Sequence, residues 1–402
     1  MHLRFVSHSL PPVGRPMDNI GGMQRVALKL HEALSARAGR DDALTYDTAL
    51  LRSSWRWVHL RTPFFLSSTA ASLLQAARRE EIDVVLFSSM VTAALAAPLQ
   101  GIFRRHGVRT AAIVHGLDVT TPFPPYQWFV PKVFAALDAV LPVSRATAQA
   151  CLERGATNNQ VHVIPNGVDI DRFDEPRSRP ADREALSDGL DLPTPPSDHL
   201  LLCSVGRQVE RKGFTWFVEH VMPRLPDDVH YWIAGDGPQG PDIQRAIERH
   251  NLAPRVRRLG RISNENLARL YRGADLFIMP NIPVEGDMEG FGVVLLEAGQ
   301  CGTPAIAAQL EGIQDVITDG VNGHLVEPEA PDAFIDAIQQ YRHAPEALQA
   351  AAERARTHTT KTFSWDAVAD TYLSALRTVH DTGAPPAPVV SQPVESVAPS
   401  AA

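Results

Sequence analysis

The feature that most limits how this chain can fold is a repeated pattern of short apolar runs separated by longer amphipathic stretches. In a first block, residues 83–87, 110–114 and 139–143 are runs dominated by Val, Ala, Leu and Ile. Runs this short and this apolar fit strands buried on both faces, as in a parallel sheet. Between and before them, 23–36 and 69–79 carry apolar residues at helical spacing. The opening residues 1–8 read as one more short strand. A second block repeats the pattern with runs at 200–205, 230–234, 256–259 and 276–280. Strand–helix alternation of this kind predicts an α/β fold with a doubly wound parallel sheet, here formed twice.

At 402 residues the chain exceeds what one ordinary core holds. The break is expected at a linker over 171–198, where Pro176, Pro180, Pro193, Pro195 and Pro196 cluster among charges. Residues 1–170 then form one domain and 199–362 another. Ligands of open α/β sheets bind at the carboxyl ends of the strands, so two such sheets facing each other make an interdomain cleft. Residues 381–402 are Pro, Ala, Ser and Val with little charge and are expected to be a disordered tail.

Composition narrows the function. The net charge of −8, with no basic block, argues against a non-specific nucleic-acid binder. Cys151, Cys203 and Cys301 lie far apart without metal-ligand spacing and read as buried thiols of a reducing compartment. The N-terminal apolar run is too brief for a signal peptide, and the Ala-rich stretch 91–103 is interrupted by Pro98 and too short to cross a bilayer. A cytoplasmic location is expected, with room for peripheral contact at the inner face of the membrane. The aromatics Phe123, Tyr126, Trp128 and Phe129, with Lys132 nearby, fit either lipid headgroups, an acceptor sugar or core packing in an irregular loop.

The chemistry concentrates at Met288-Glu289-Gly290-Phe291-Gly292-Val293-Val294-Leu295-Leu296-Glu297. Gly290 and Gly292 let the backbone approach a ligand. A helix starting near Gly292 leaves the amides of Phe291, Gly292 and Val293 without intrahelical partners, which suits a diphosphate. Glu297, four residues after Val293, lies on the same helix face, where a carboxylate can accept hydrogen bonds from a ribose diol.

This stretch resembles the E-x7-E signature of the GT4 family of retaining glycosyltransferases, which have the GT-B fold of two Rossmann-like domains. The resemblance extends over almost the whole chain except the tail. Gly206-Arg207-Gln208-Val209-Glu210-Arg211-Lys212-Gly213 is similar to the family's G-R-x-x-x-x-K-G element. It implies that Arg207 and Lys212 hold the donor diphosphate and stabilise charge on the leaving nucleotide. Only four lysines (Lys29, Lys132, Lys212, Lys361) occur among 38 basic residues, so a lysine kept here suggests that a compact point charge is wanted. The glycines of Ile20-Gly21-Gly22-Met23 are similar to the family's N-terminal glycine loop, placing Gly22 beside the donor. His115, after the strand ending at Val114, matches the histidine that contacts the donor sugar. Pro165-Asn166-Gly167-Val168-Asp169 reads as a turn fixing the linker. Residues 363–380 resemble a final helix returning to the first domain. Glu311-Gly312-Ile313-Gln314-Asp315 stands where many members carry Gly-Gly-x-x-Glu, with Asp315 in place of Glu.

One segment points elsewhere. Gly235-Asp236-Gly237-Pro238-Gln239-Gly240 satisfies the dinucleotide pattern G-x-G-x-x-G. Pro238 and Pro241 stiffen that turn, and no ribose-binding acid follows about 20 residues on. The resemblance implies a retaining transfer of a hexose-type sugar from a UDP- or GDP-sugar, metal-independent if two cations and a helix terminus hold the diphosphate. The acceptor would be a glycan or lipid-linked molecule, in cell-envelope polysaccharide or glycolipid synthesis. No cofactor beyond the nucleotide-sugar substrate is implied. Glu289, Arg207, Lys212 and His115 are the candidate catalytic residues. Gly22, Gly206, Phe291, Gly292, Val293 and Glu297 are the candidate donor-binding residues. The alternatives are a nucleotide-sugar epimerase or hydrolase on the same fold, or a non-catalytic nucleotide-sugar-binding protein.

Overall fold

The computed structural model of the chain describes residues 1–12, 22–53, 55–170, 173, 178–285, 287, 289 and 291–386. The tail expected beyond 381 therefore lies mostly outside the described residues.

Two parallel sheets are present. The first contains β1 (His2–Leu10), β2 (Thr45–Arg52), β3 (Val84–Phe87), β4 (Arg109–Val114) and β5 (Ala139–Pro142), in the order β2-β1-β3-β4-β5. The second contains β6 (Leu200–Val205), β7 (Val229–Ala234), β8 (Val256–Gly260), β9 (Leu276–Met279), β10 (Ala305–Ala308) and β11 (Gly323–Val326), in the order β11-β10-β9-β6-β7-β8. The expected apolar runs are strands, and every residue of β3, β5 and β9 is buried. Helices cover both faces of each sheet. In the first domain one layer packs Leu73, Phe103 and Phe134 against the sheet, and the opposite layer packs Leu30 and Leu34 of α1 (Gly22–Ala38).

The order of each sheet reverses at one place, between β1 and β3 in the first and between β6 and β9 in the second. Loops leaving such neighbours turn to opposite sides and open a crevice, which is where ligands bind.

Two elements differ from expectation. The segment 171–198, read as linker, contains the helix Arg179–Leu190. Ser178 caps it, and Pro180 sits in its first turn, where a missing N–H costs nothing. It docks on the helix Asn264–Gly273 through Arg272–Asp182, at 2.8 Å, and beside it Arg183 pairs with Asp275 at 2.6 Å. The helical stretch read as 69–79 is the end of a longer helix, α2 (Trp55–Arg78).

The last helix, Trp365–Thr382, buries Val368, Tyr372, Leu376 and Val379 in the first domain's core. A Cβ on Gly167 would lie 2.6 Å from the Trp365 ring, and the Val168 amide donates to the Phe363 carbonyl at 2.7 Å. Gly167 thus permits the close crossing of the two interdomain strands of chain. Among the described residues, no helix is long and apolar enough to cross a membrane.

Candidate active site

The switch point of the second sheet brings together two loops that are far apart in sequence. One follows β6 and runs from Gly206 to Gly213; the other follows β9 from Pro280 onward. Gly213 has φ of 65°, and a Cβ there would lie 1.8 Å from the Pro280 carbonyl oxygen. Only glycine fits such an approach. The Ile282 amide donates to the Arg211 carbonyl at 3.0 Å, stitching the loops together.

This stitching places Lys212 against Glu289. The ammonium lies 2.5 Å from Glu289 Oε2, with the two side chains only 8% and 11% exposed. Asn281 Nδ2 donates to the same oxygen at 3.3 Å, and Arg211 Nε stands 3.9 Å away. Burial pushes the Glu289 carboxyl up, but Lys212, Arg211 and Asn281 outweigh it and hold its pKa below the ordinary value. Glu289 is therefore an ionised, hydrogen-bond-accepting carboxylate. Its amide donates to Glu311, whose carboxyl is shifted upward by burial and by the Glu289 charge, against the pull of that amide bond. Arg207 is exposed on the same loop and makes no ion pair among the described residues. Gly206 lies against the lysine stem, with its virtual Cβ 3.4 Å from Lys212 Cε.

Across the crevice, Gly292 caps the helix Val293–Gln300 with φ of 77°. The amides of Phe291, Gly292 and Val293 take no hydrogen-bond partner among the described residues. The Phe291 ring itself is buried, 6.4 Å from Phe363, so only its backbone can face a ligand. Glu297 is buried as well. Its Oε2 accepts from the Tyr271 hydroxyl at 2.9 Å, and its Oε1 stands 3.8 Å from Arg25 of the first domain.

On the first domain, His115 sits at the carboxyl end of β4. Its Nε2 lies 3.1 Å from the Ser88 carbonyl oxygen, and its amide donates to Asp118 at 2.8 Å. Burial lowers its pKa, against opposing effects of Asp118 and the Ser88 carbonyl. With Nε2–H donating to Ser88, the neutral ring keeps Nδ1 as an acceptor. Gly22 is the first residue of α1; Ile20 and Gly21 lie outside the described residues.

The two sets face each other because contacts join the carboxyl ends of both sheets. Arg145, just after β5, donates from its amide and Nε to Asp315 at 2.7 and 2.5 Å, and from Nη2 to the Gln314 carbonyl at 2.7 Å. Asp315 thus spans the cleft.

Sequence reasoning missed Asn281, Arg211, Glu311, Tyr271, Arg25 and also His8, whose Nδ1 lies 3.4 Å from Ser89 Oγ. All but Asn281, whose partner Glu289 is eight residues on, gain their place through a contact distant in sequence. Arg211 and Glu311 had a local signal, lying inside the Gly206–Gly213 element and the Glu311–Asp315 segment.

The dinucleotide-like glycines have a packing explanation. A Cβ on Gly235 would lie 2.0 Å from the Gly206 carbonyl, one on Gly237 2.4 Å from the Gln208 carbonyl, and one on Gly240 2.4 Å from Arg258 Nη2. They let the turn after β7 press on the Gly206–Gln208 loop rather than cradle a second nucleotide.

Comparisons with known proteins bear on what this cleft is. Residues 20–172 match the sequence model described as Glycosyltransferase Family 4, and 199–343 the one described as Glycosyl transferases group 1. A D-inositol 3-phosphate glycosyltransferase of Xylanimonas cellulosilytica is 32% identical over 256 residues, 61% of this chain. The match spans only 59% of that relative's own length. A GDP-mannose-dependent monoacylated alpha-(1-6)-phosphatidylinositol monomannoside mannosyltransferase of Corynebacterium glutamicum is 26% identical over 392 residues, covering 92% of this chain and 97% of that protein. Among solved structures, Anabaena HepE in complex with UDP superposes with a TM-score of 0.68 at 18% identity, over 94% of this chain and all of that one. That likeness concerns the fold, and it is GT-B. The two matched models take in most of the sequence, and the chain belongs to the GT4 family of glycosyltransferases.

Proposed function

We propose that the chain transfers a hexose-type sugar, with retention of configuration, from a nucleoside-diphosphate sugar to a glycan or lipid-linked acceptor. The observation that carries this reading is the buried Lys212–Glu289 pair beside the exposed Arg207 and the open amides at Phe291–Val293. Cationic and N–H donors on two sides of one crevice suit a diphosphate, and Glu297 stands on the helix that starts at those amides, where a ribose would reach.

The step follows from this placement. The bond from the anomeric carbon to the phosphate oxygen breaks, and the nucleoside diphosphate leaves with the electron pair. Arg207, Lys212 and the helix terminus stabilise the charge as it develops. The acceptor hydroxyl attacks the same face, and its proton passes to a phosphate oxygen. Glu289 orients sugar hydroxyls; a carboxylate already engaged by Lys212 and Asn281 is a poor nucleophile. His115 accepts a hydrogen bond from the sugar through Nδ1. Two cations and a helix terminus make a divalent metal unnecessary, and UDP- and GDP-sugars are the expected donors.

The test incubates the purified chain with UDP-, GDP- and ADP-sugars in EDTA, first alone and then with candidate acceptors, and reads products by NMR. Acceptor-dependent formation of a glycoside with the donor's anomeric configuration is expected. Inverted product, sugar rearranged without acceptor, or a strict need for Mg²⁺ or Mn²⁺ would each overturn the part it contradicts.

A further inference from the structure

Five large apolar side chains are more than half exposed among the described residues, and all five lie on one helical layer of the first domain. Trp57, Leu60 and Phe64 are 57%, 64% and 80% exposed. Spaced three and four apart, they share one face of α2. The opposite face of the same helix, with Leu73, Ala76 and Ala77, supplies the core. A helix that merely closed the core would carry polar residues at 57, 60 and 64. Phe123 and Trp128 complete the five, at 58% and 69%. They belong to the start of the helix Pro124–Ala136, while Tyr126 and Phe129 of that helix pack against the core. Of the three readings open for this aromatic cluster, core packing holds for those two and fails for Phe123 and Trp128.

Position and charge say what covers this surface. α2 follows β2, and the Pro124–Ala136 helix follows β4, so both begin at the carboxyl edge of the sheet, beside the cleft. The helix Ala96–Arg105 lies between them in the same layer. None of these three helices contains an Asp or Glu, although the chain carries a net charge of −8. Arg61 is exposed within the α2 stripe, and Lys132 sits 3.0 Å from the centre of the Trp128 ring. Apolar and aromatic side chains interleaved with cations, free of acids, complement an anionic lipid surface.

We propose that the face carrying Trp57, Leu60, Phe64, Phe123 and Trp128 docks on a bilayer of anionic phospholipid, with the mouth of the cleft at the headgroups. This rests in part on the lipid-linked acceptor of the function proposed above, because docking there presents such an acceptor to His115 without extracting it. The binding itself requires no sugar transfer.

The experiment is flotation of the full chain with vesicles of phosphatidylcholine alone or mixed equally with phosphatidylglycerol. The wild type is expected to float with the mixed vesicles and hardly with the neutral ones. The triple variant Trp57→Ser, Leu60→Ser, Phe64→Ser is expected to lose at least about tenfold in vesicle affinity. Arg61→Glu is expected to lose several-fold at low salt. All four side chains are exposed, so circular dichroism and nucleotide binding should stay as in the wild type. Wild-type protein that fails to float overturns the proposal, as does triple-variant binding equal to wild type. A concentration-dependent dimer abolished by the triple substitution would also overturn it, assigning the stripe to a second copy. Turnover with a water-soluble acceptor separates the two readings: its retention in the triple variant leaves the transfer reading intact whichever way flotation falls.

Discussion

Replacing Lys212 with alanine acts on folding and on turnover, and the structure sizes both effects. The ammonium lies 2.5 Å from Glu289 in a largely buried pair. Removing one partner from such a pair costs about 3–5 kcal/mol, because the other charge stays buried. Arg211 at 3.9 Å and Asn281 at 3.3 Å still reach the same oxygen, so the loss belongs near about 3 kcal/mol. The double variant Lys212→Met, Glu289→Gln removes both charges at similar volume and is expected to recover all but about 1 kcal/mol. Acidity adds a signature. The wild-type Glu289 pKa is lowered, so its contribution to stability is present above the unfolded carboxylate pKa and is lost as pH falls through the folded value. Without Lys212 the largest opposing charge to burial is gone, the folded pKa rises from its wild-type position, and the deficit of the variant shrinks as the medium is acidified. On turnover, loss of one fixed cation at the developing phosphate charge is expected to cost about 10²–10³-fold in kcat. Urea unfolding followed by tryptophan fluorescence, and nucleotide release at saturating donor, read the two effects. A variant within about 1 kcal/mol of wild type at pH 7 and within a few-fold in kcat would refute the reasoning.

Other perturbations follow from single contacts. Gly213→Ala sets a methyl 1.8 Å from the Pro280 carbonyl and requires φ of 65°, so a loss of about 3 kcal/mol or more is expected in a thermal melt. Tyr271→Phe removes the donor to Glu297; about 1 kcal/mol of stability and a several-fold rise in donor KM with little change in kcat are expected from melts and steady-state rates. Asp315→Asn disrupts the contact with Arg145 that spans the cleft, and small-angle scattering is expected to show a larger radius of gyration, with donor KM raised.

Legibility in the sequence followed burial. Strands such as β3 and β5 announce themselves because every residue is apolar and enclosed. β2 was missed because it is an edge strand, Thr45–Arg52, with mixed, mostly half-buried side chains and no alternation. β10 and β11 are four residues each, and Ala-Ile-Ala-Ala or Gly-His-Leu-Val has little apolar mass to signal a strand. The first half of α2 escaped notice because Trp57, Leu60 and Phe64 put large apolar groups on its exposed face and blur the helical pattern. In the site, Gly206–Gly213 and Glu289–Glu297 were visible as local patterns. That Lys212 would pair with Glu289, or Tyr271 with Glu297, depends on neighbouring strands β6 and β9, and strand order is not written in any short stretch of sequence. The helix inside 171–198 was hidden for the same reason: Pro180 signals a break or a helix start equally well until the helix finds Asn264–Gly273 to pack on.

The proposed transfer requires Arg207, Lys212 and the Phe291–Val293 amides to grip a diphosphate. Titration calorimetry of UDP, UMP, GDP and GMP into the wild type and into Arg207→Ala tests it most directly. At least one diphosphate is expected to bind about 100-fold more tightly than its monophosphate, and Arg207→Ala to remove at least about tenfold of that preference. Equal affinity for mono- and diphosphate, or a preference untouched by the substitution, would contradict it.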